Sequence, residues 1–229
     1  DLLFGADGND TIAGGAGNDL LDGGEGEDTF NTGTGDDLVL AGGGDDNVGG
    51  MAGRDTVFGG DGDDIVAWND PTGDVVFGDG GHDTLRGGDV AADTIVGGDG
   101  DDLIRAVANQ NLATHAPDIL FGEAGNDAMV GGNANDTIEG GAGDDTMSGS
   151  GGADRFVFRA DQPGHDTVTD FGDGADVVAL VGFGDHFDAL ANLSQEASGT
   201  VLDLGAAGQV LFFGRLVNEF AAEDFVLVA

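Results

Sequence analysis

Gly5-Ala-Asp-Gly-Asn-Asp-Thr-Ile-Ala13, Gly14-Gly-Ala-Gly-Asn-Asp-Leu-Leu-Asp22 and Gly23-Gly-Glu-Gly-Glu-Asp-Thr-Phe-Asn31 are three successive lines of one nine-residue pattern. The pattern is G-G-x-G-x-D-x-U-x, with U a large apolar residue. Its sixth-position Asp recurs at Asp1, Asp10, Asp19, Asp28, Asp37, Asp46, Asp55, Asp64, Asp74, Asp83, Asp93, Asp102, Asp118, Asp127, Asp136, Asp145 and Asp154. Of the sixteen intervals, thirteen are nine residues, two are ten and one is sixteen. Two residues after every one of these Asp stands an apolar side chain, from Leu3 and Ile12 to Met147 and Phe156. A fixed short period of this kind marks a stacked repeat architecture.

The residue types say how the repeat folds. Gly at positions 1, 2 and 4 permits positive φ and close backbone approach, so six residues can wrap a tight turn. Positions 7 to 9 read as a three-residue strand, with position 8 facing one way and positions 7 and 9 the other. One inward residue per strand makes a thin core that exists only if coils stack. Two nonapeptides make one coil, a strand on each side and a turn at each edge. The expected fold is all-β: a right-handed parallel β-roll with a C-terminal antiparallel β cap.

Stacking also sets the Asp of each repeat over the Asp two repeats on. Carboxylates that close repel, and a hard cation between them turns repulsion into cohesion. Carboxylate and carbonyl oxygens suit Ca²⁺ rather than zinc or copper, and Mg²⁺ demands a stricter octahedron. No EF-hand loop with its closing Glu is present.

The composition agrees. The chain has 229 residues with 45 acids against six Arg and no Lys, a formal net charge of −39. That balance excludes binding to nucleic acid or insertion into an anionic membrane by charge. With no Cys there is no disulfide, zinc thiolate or Cys nucleophile. No apolar run is long enough to span a membrane. Acidity of this degree reads first as disorder, but an apolar content of 39% is too high for a solvated tail.

The nonapeptides over residues 1–158 resemble the RTX (hemolysin-type) calcium-binding repeat of proteins exported by bacterial type I secretion. The resemblance implies Ca²⁺ held by sixth-position carboxylates and by turn carbonyls of positions 1 to 4, from two stacked loops. Carried over, the ligand set before the break is Gly8 and Asp10; Gly15, Gly17 and Asp19; Gly24, Gly26 and Asp28; Gly33, Gly35 and Asp37. It continues with Gly42, Gly44 and Asp46; Gly53 and Asp55; Gly60, Gly62 and Asp64; Gly81 and Asp83; Gly98, Gly100 and Asp102. After the break come Gly125 and Asp127; Gly132 and Asp136; Gly141, Gly143 and Asp145; and Asp154. About a dozen ions are expected.

Four places depart from the pattern. Trp68-Asn-Asp-Pro-Thr-Gly73 replaces a Gly-rich turn, so a full site before Asp74 is not expected. Gly87-Gly-Asp-Val-Ala-Ala92 has one extra residue and no fourth-position Gly. Arg54 stands beside Asp55 as an internal cation that could substitute in part for calcium, and Met51 replaces a Gly. The segment 106–117 is read as a loop inserted at one edge, either a tolerated insertion or a partner contact. Trp68 is read as a hydrophobic cover, with sugar stacking as the alternative; His82 is read as a solvated residue at a variable turn position, and His115 has no paired His or Glu at ligand spacing.

From residue 159 the period ends, and only nine of 47 Gly follow. Longer strands are expected at 155–158, 176–181, 200–204, 209–213 and 224–228, with a short helix within 185–197. These would cap the last coil, whose strand edges and apolar core are otherwise bare. The run Gly151-Gly-Ala-Asp-Arg-Phe-Val-Phe158 with His165-Asp-Thr-Val-Thr-Asp-Phe-Gly-Asp-Gly-Ala-Asp176 resembles the C-terminal domain of serralysin-type exported metalloproteases. In that family an acid followed by apolar residues, here Glu223-Asp-Phe-Val-Leu-Val-Ala229, is read by the exporter. His165, Asp166, Asp170 and Asp176 are taken as strand and turn residues, with one further calcium conceivable among the Asp.

H-E-x-x-H and G-x-S-x-G are both absent, and no catalysis is expected within these residues. The chain starts inside a repeat, as a part of a longer secreted protein would. The main expectation is therefore a secreted, calcium-binding module that folds outside the cell and partners the type I machinery. An adhesin, surface-layer or polysaccharide-binding role, including self-association, is the second. The non-catalytic tail of a protease, lipase or alginate-modifying enzyme is the third.

Overall fold

The computed structural model describes residues 1–88, 90–107, 115–172 and 175–228. Successive strands alternate between two sheets as far as Val177–Val181; among the described residues one sheet has eleven strands and the other twelve. Leu2–Asp7 opens the first sheet and pairs in parallel with Leu20–Glu25, Leu3 opposite Leu21. Thr11–Ala16 opens the second and pairs with Thr29–Thr34, Ile12 opposite Phe30. The offset is eighteen residues, so two nonapeptides make one coil of an all-β parallel roll.

The core follows the eighth position. Leu21, Val39, Val57, Val76, Leu85, Ile95, Ile104, Leu120, Ile138 and Met147 are fully buried between the sheets. Strand length departs from the sequence reading. Most strands run five or six residues, because positions 1 to 3 stay extended and continue the ladder, as in Thr56–Asp61 and Thr137–Ala142. Three-residue strands occur in the roll at Ile65–Ala67, Thr84–Arg86 and Leu103–Arg105, each ahead of an irregular turn.

The parallel ladder runs on past Phe158. Arg155–Arg159 pairs with Val177–Val181, which pairs with Phe225–Val228. Gly164–Val168 pairs in parallel with Gly208–Phe213. Antiparallel pairing begins only there, where Gly199–Asp203 lies against Gly208–Phe213 and Leu193–Gln195 against Gly199–Asp203. Phe171 packs against Phe156, Phe212 and Phe220 with ring centroids 5.0–6.1 Å apart and closes the end of the core. The helix expected within 185–197 is a single 3₁₀ turn, Leu190–Asn192, followed directly by strand Leu193–Gln195. Among the described residues no helix is long and apolar enough to cross a membrane.

Candidate metal centre

The roll has two edges. Edge one carries the turns from the first sheet to the second, ending at Asp10, Asp28, Asp46, Asp64, Asp83, Asp102, Asp127 and Asp145. Edge two carries the return turns, ending at Asp19, Asp37, Asp55, Asp74, Asp93, Asp118, Asp136 and Asp154. Along each edge the Asp form a ladder: the backbone N–H of one donates to Oδ1 of the Asp one coil on. On edge one Asp10 donates to Asp28 at 2.8 Å, Asp64 to Asp83 at 2.8 Å and Asp102 to Asp127 at 2.8 Å. On edge two Asp19 donates to Asp37 at 2.8 Å and, across the insert, Asp93 to Asp118 at 2.7 Å.

The other carboxylate oxygen is the informative one. Oδ2 of Asp10, Asp19, Asp28, Asp37, Asp46, Asp55, Asp64, Asp74, Asp83, Asp102, Asp127, Asp136 and Asp145 is buried and has no hydrogen-bond partner. A buried carboxylate oxygen without a partner is costly unless a cation or proton meets it. Burial accordingly pushes up the carboxyls of Asp37, Asp46, Asp55, Asp64, Asp74, Asp83, Asp102, Asp127, Asp136 and Asp145; the neighbouring coil's N–H pulls the other way, and for all of these but Asp136 adjacent carboxylates add to the rise. Asp46, Asp55, Asp83 and Asp145 reach about 6. Asp64, Asp102, Asp127 and Asp154 reach about 7 and Asp74 and Asp118 about 8.

Backbone oxygens meet the carboxylates. A β-carbon built on Gly23 would run into both Asp28 Oδ2 and the Ala41 carbonyl oxygen; one on Gly122 would meet Asp127 Oδ2 and the Gly140 carbonyl oxygen. At Gly23 and Gly122 the first-position Gly therefore serves close backbone approach rather than positive φ, although Thr32 and Ala41 hold the same position in other coils. Positive φ belongs to positions 2 and 4, as in Gly24 at 102° and Gly26 at 129°. Every glycine of the expected ligand set has it except Gly132. There the Val107 methyl carbons stand 3.1 and 3.4 Å from the β-carbon position.

The residues fit a hard divalent cation. Calcium would be held by sixth-position Oδ2 and turn carbonyls, and would supply the positive charge that offsets carboxylate desolvation and repulsion. Among the described residues no three His, Cys, Asp or Glu side chains gather into a metal cluster, in keeping with a donor set of carboxylate plus backbone carbonyl.

Several expectations need correction. Arg54 turns outward to Asp36, Nη2 to Oδ2 3.7 Å with both side chains exposed, and puts no cation beside Asp55. Trp68 is 4% exposed within the core, so it covers the coil and cannot stack on a sugar. His82 is exposed but not idle: its Nδ1 accepts the Asp101 N–H at 2.8 Å. It belongs to an outer ladder of fifth-position acceptors, in which Asp45, Asp63, Asp101, Asn126 and Asp144 each accept the N–H one coil on. The enrichment of Asn and Asp at position 5 carried that signal.

Two ladder members were missed. Asp166 Oδ1 accepts the Asp145 N–H at 3.2 Å and Asp176 Oδ1 accepts the Asp154 N–H at 2.9 Å. Each precedes a buried apolar residue by two, Val168 and Val178, so the D-x-U signature survives where the glycines do not. Asp170 instead accepts from the Gly149 and Ser150 N–H groups at 3.1 and 2.8 Å. Of the insert 106–117, residues 108–114 lie outside the described residues; Ala106 and Val107 enter the core, and both ring nitrogens of His115 are buried.

Comparison with known proteins gives the same reading. The family model of the RTX calcium-binding nonapeptide repeat (four copies) matches residues 4–39, 40–67, 72–91, 88–106 and 121–156. Among solved structures, the extracellular lipase LipA of Serratia marcescens is 25% identical with a TM-score of 0.49. The match covers 100% of this chain and 40% of the lipase, so the chain spans less than half that protein's length. The AlgE6R3 subunit of the Azotobacter vinelandii mannuronan C5-epimerase is 24% identical with a TM-score of 0.24, over 61% of this chain and 80% of that one. No curated protein matches. With more than half of its length matched by that repeat, the chain belongs to the RTX calcium-binding nonapeptide-repeat family.

Proposed function

We propose that this chain is the calcium-folded module of a larger exported bacterial protein. One observation carries the reading: each regular coil buries carboxylate oxygens that nothing in the protein satisfies. At the low calcium of a cytosol the charge of −39 holds the chain open and exportable. At roughly millimolar calcium outside, the affinity range of extracellular modules, metal-binding free energy becomes folding free energy. The apolar C-terminal strand Phe225–Val228 after Glu223 and Asp224 supports recognition by a type I exporter. Within these residues the role is structural, and any catalysis belongs to another part of the parent protein.

Limited proteolysis tests the folding half. In calcium the roll resists a broad-specificity protease and in chelator it is digested; equal digestion in both would refute the reading. Export is tested by fusing the chain behind a passenger in a host with a type I exporter. The passenger reaches the medium with the chain intact and stays in the cell once residues 223–229 are removed; export without those residues would refute that part.

A further inference from the structure

All the irregular turns of the roll proper fall on edge two. On edge one the eight Oδ2 atoms from Asp10 to Asp145 are buried and partnerless without exception. Every fourth-position residue there, from Gly8 to Gly143, is a glycine with positive φ. On edge two, among the described residues, no residue has positive φ between Gly53 and Ser150. The conformation that turns carbonyls toward the carboxylates is therefore absent from the described residues of that stretch.

The chain's own groups take the place of a metal there. The Thr72 hydroxyl donates to the Gly53 carbonyl at 2.7 Å, and Asp70 Oδ2 accepts the Gly53 N–H at 3.1 Å. One coil on, the Gly88 N–H donates to Asp93 Oδ2 at 3.0 Å, satisfying the oxygen left bare in regular coils. Further on, the Val107 methyls stand 3.1 and 3.4 Å from the β-carbon position of Gly132, where Gly42 and Gly60 meet a carbonyl oxygen of the preceding coil. The second-sheet strands before these turns shorten to three residues. Among the described residues, a hydroxyl, an amide and a pair of methyl groups thus stand at three consecutive edge-two turns. Asp55 and Asp74 keep partnerless Oδ2 atoms, but the turns they close hold the engaged Gly53 carbonyl and the Asp70–Thr72 clasp.

We infer that calcium loads the two edges unequally: as an unbroken file along edge one from Asp10 to Asp145, and on edge two at the early turns of Asp19 and Asp37 but not in the stretch from Asp70 to Asp118, a metal-free seam. The inference rests on the calcium reading above. It makes the seam a part of the turn surface whose shape is set by side chains rather than by bound ions.

Anomalous scattering from a crystal of the full chain, grown in calcium and soaked with terbium, tests it. The expected map has peaks along edge one and beside Asp19 and Asp37, and none beside Thr72, Asp93 or Val107. A peak at any of those three overturns the inference while leaving the calcium reading intact; no peak on either edge removes both. In solution, Asp83→Asn on edge one loses a bound ion by native mass spectrometry and raises the calcium midpoint of folding severalfold. Asp93→Asn on edge two keeps the ion count of the unchanged chain, and equal loss in both variants contradicts the inference.

Discussion

In the regular coils a sixth-position Asp does two jobs with two oxygens. Oδ1 ties its coil to the previous one through a backbone N–H, and Oδ2 faces inward toward the turn carbonyls. The first job is metal-independent and the second is not. Burial raises the Asp46 carboxyl to about 6 and that of Asp118 to about 8, so from the ordinary carboxylate value up to these the metal-free fold holds more protons than the unfolded chain. Its stability is therefore greatest below the ordinary carboxylate range and falls as pH rises through 6 to 8. In chelator, strand content measured by circular dichroism should grow as pH drops from 8 to 5, and a fall over that range would contradict the assignment. Calcium uptake at neutral pH should release protons, measurable as a buffer-dependent heat in titration calorimetry. The glycines divide as well: position 2 tolerates Asp79 and Glu123 at positive φ, whereas position 4 of edge one admits glycine alone. Gly100 has φ 129° and a β-carbon there would meet the Gly81 carbonyl, so Gly100→Ala should cost roughly 2–4 kcal/mol by denaturant titration in saturating calcium.

At the scale of the strand, the two faces differ sharply in what they tolerate. Leu85 is fully buried and its neighbour Thr84 is exposed. Leu85→Ala should lose about 2–5 kcal/mol, whereas Thr84→Ala should stay within about 0.5 kcal/mol, both read from thermal unfolding in calcium. The coil period, the inward eighth position and the stacked Asp were all legible in the sequence, because each is repeated and local. Strand length was not: whether positions 1 to 3 remain extended depends on the neighbouring coil offering its ladder, as Gly43 does for Glu25. The destination of Arg54 was equally hidden, since adjacency to Asp55 in sequence places the two on opposite faces of the turn. Asp166 and Asp176 show the reverse case, a readable D-x-U signal obscured by the loss of the glycines around it.

Across the whole molecule, the charge of −39 is distributed rather than clustered, one inner carboxylate for each turn of two parallel files. On the proposed reading calcium joins these files coil to coil, and without it the repulsion of their carboxylates opposes the strand ladder and the thin core. The end of the roll is closed by Phe171 and its aromatic neighbours, so the cap depends on packing rather than on metal. Phe171→Ala should accordingly lower the unfolding temperature in saturating calcium without changing the number of ions bound, as counted by native mass spectrometry. The most direct test of the central claim is far-UV circular dichroism of the full chain at pH 7.5 as calcium is titrated in from chelator. The account predicts a disordered spectrum in chelator and a single cooperative rise of strand signal toward millimolar calcium; a strand signal already complete in chelator would contradict it.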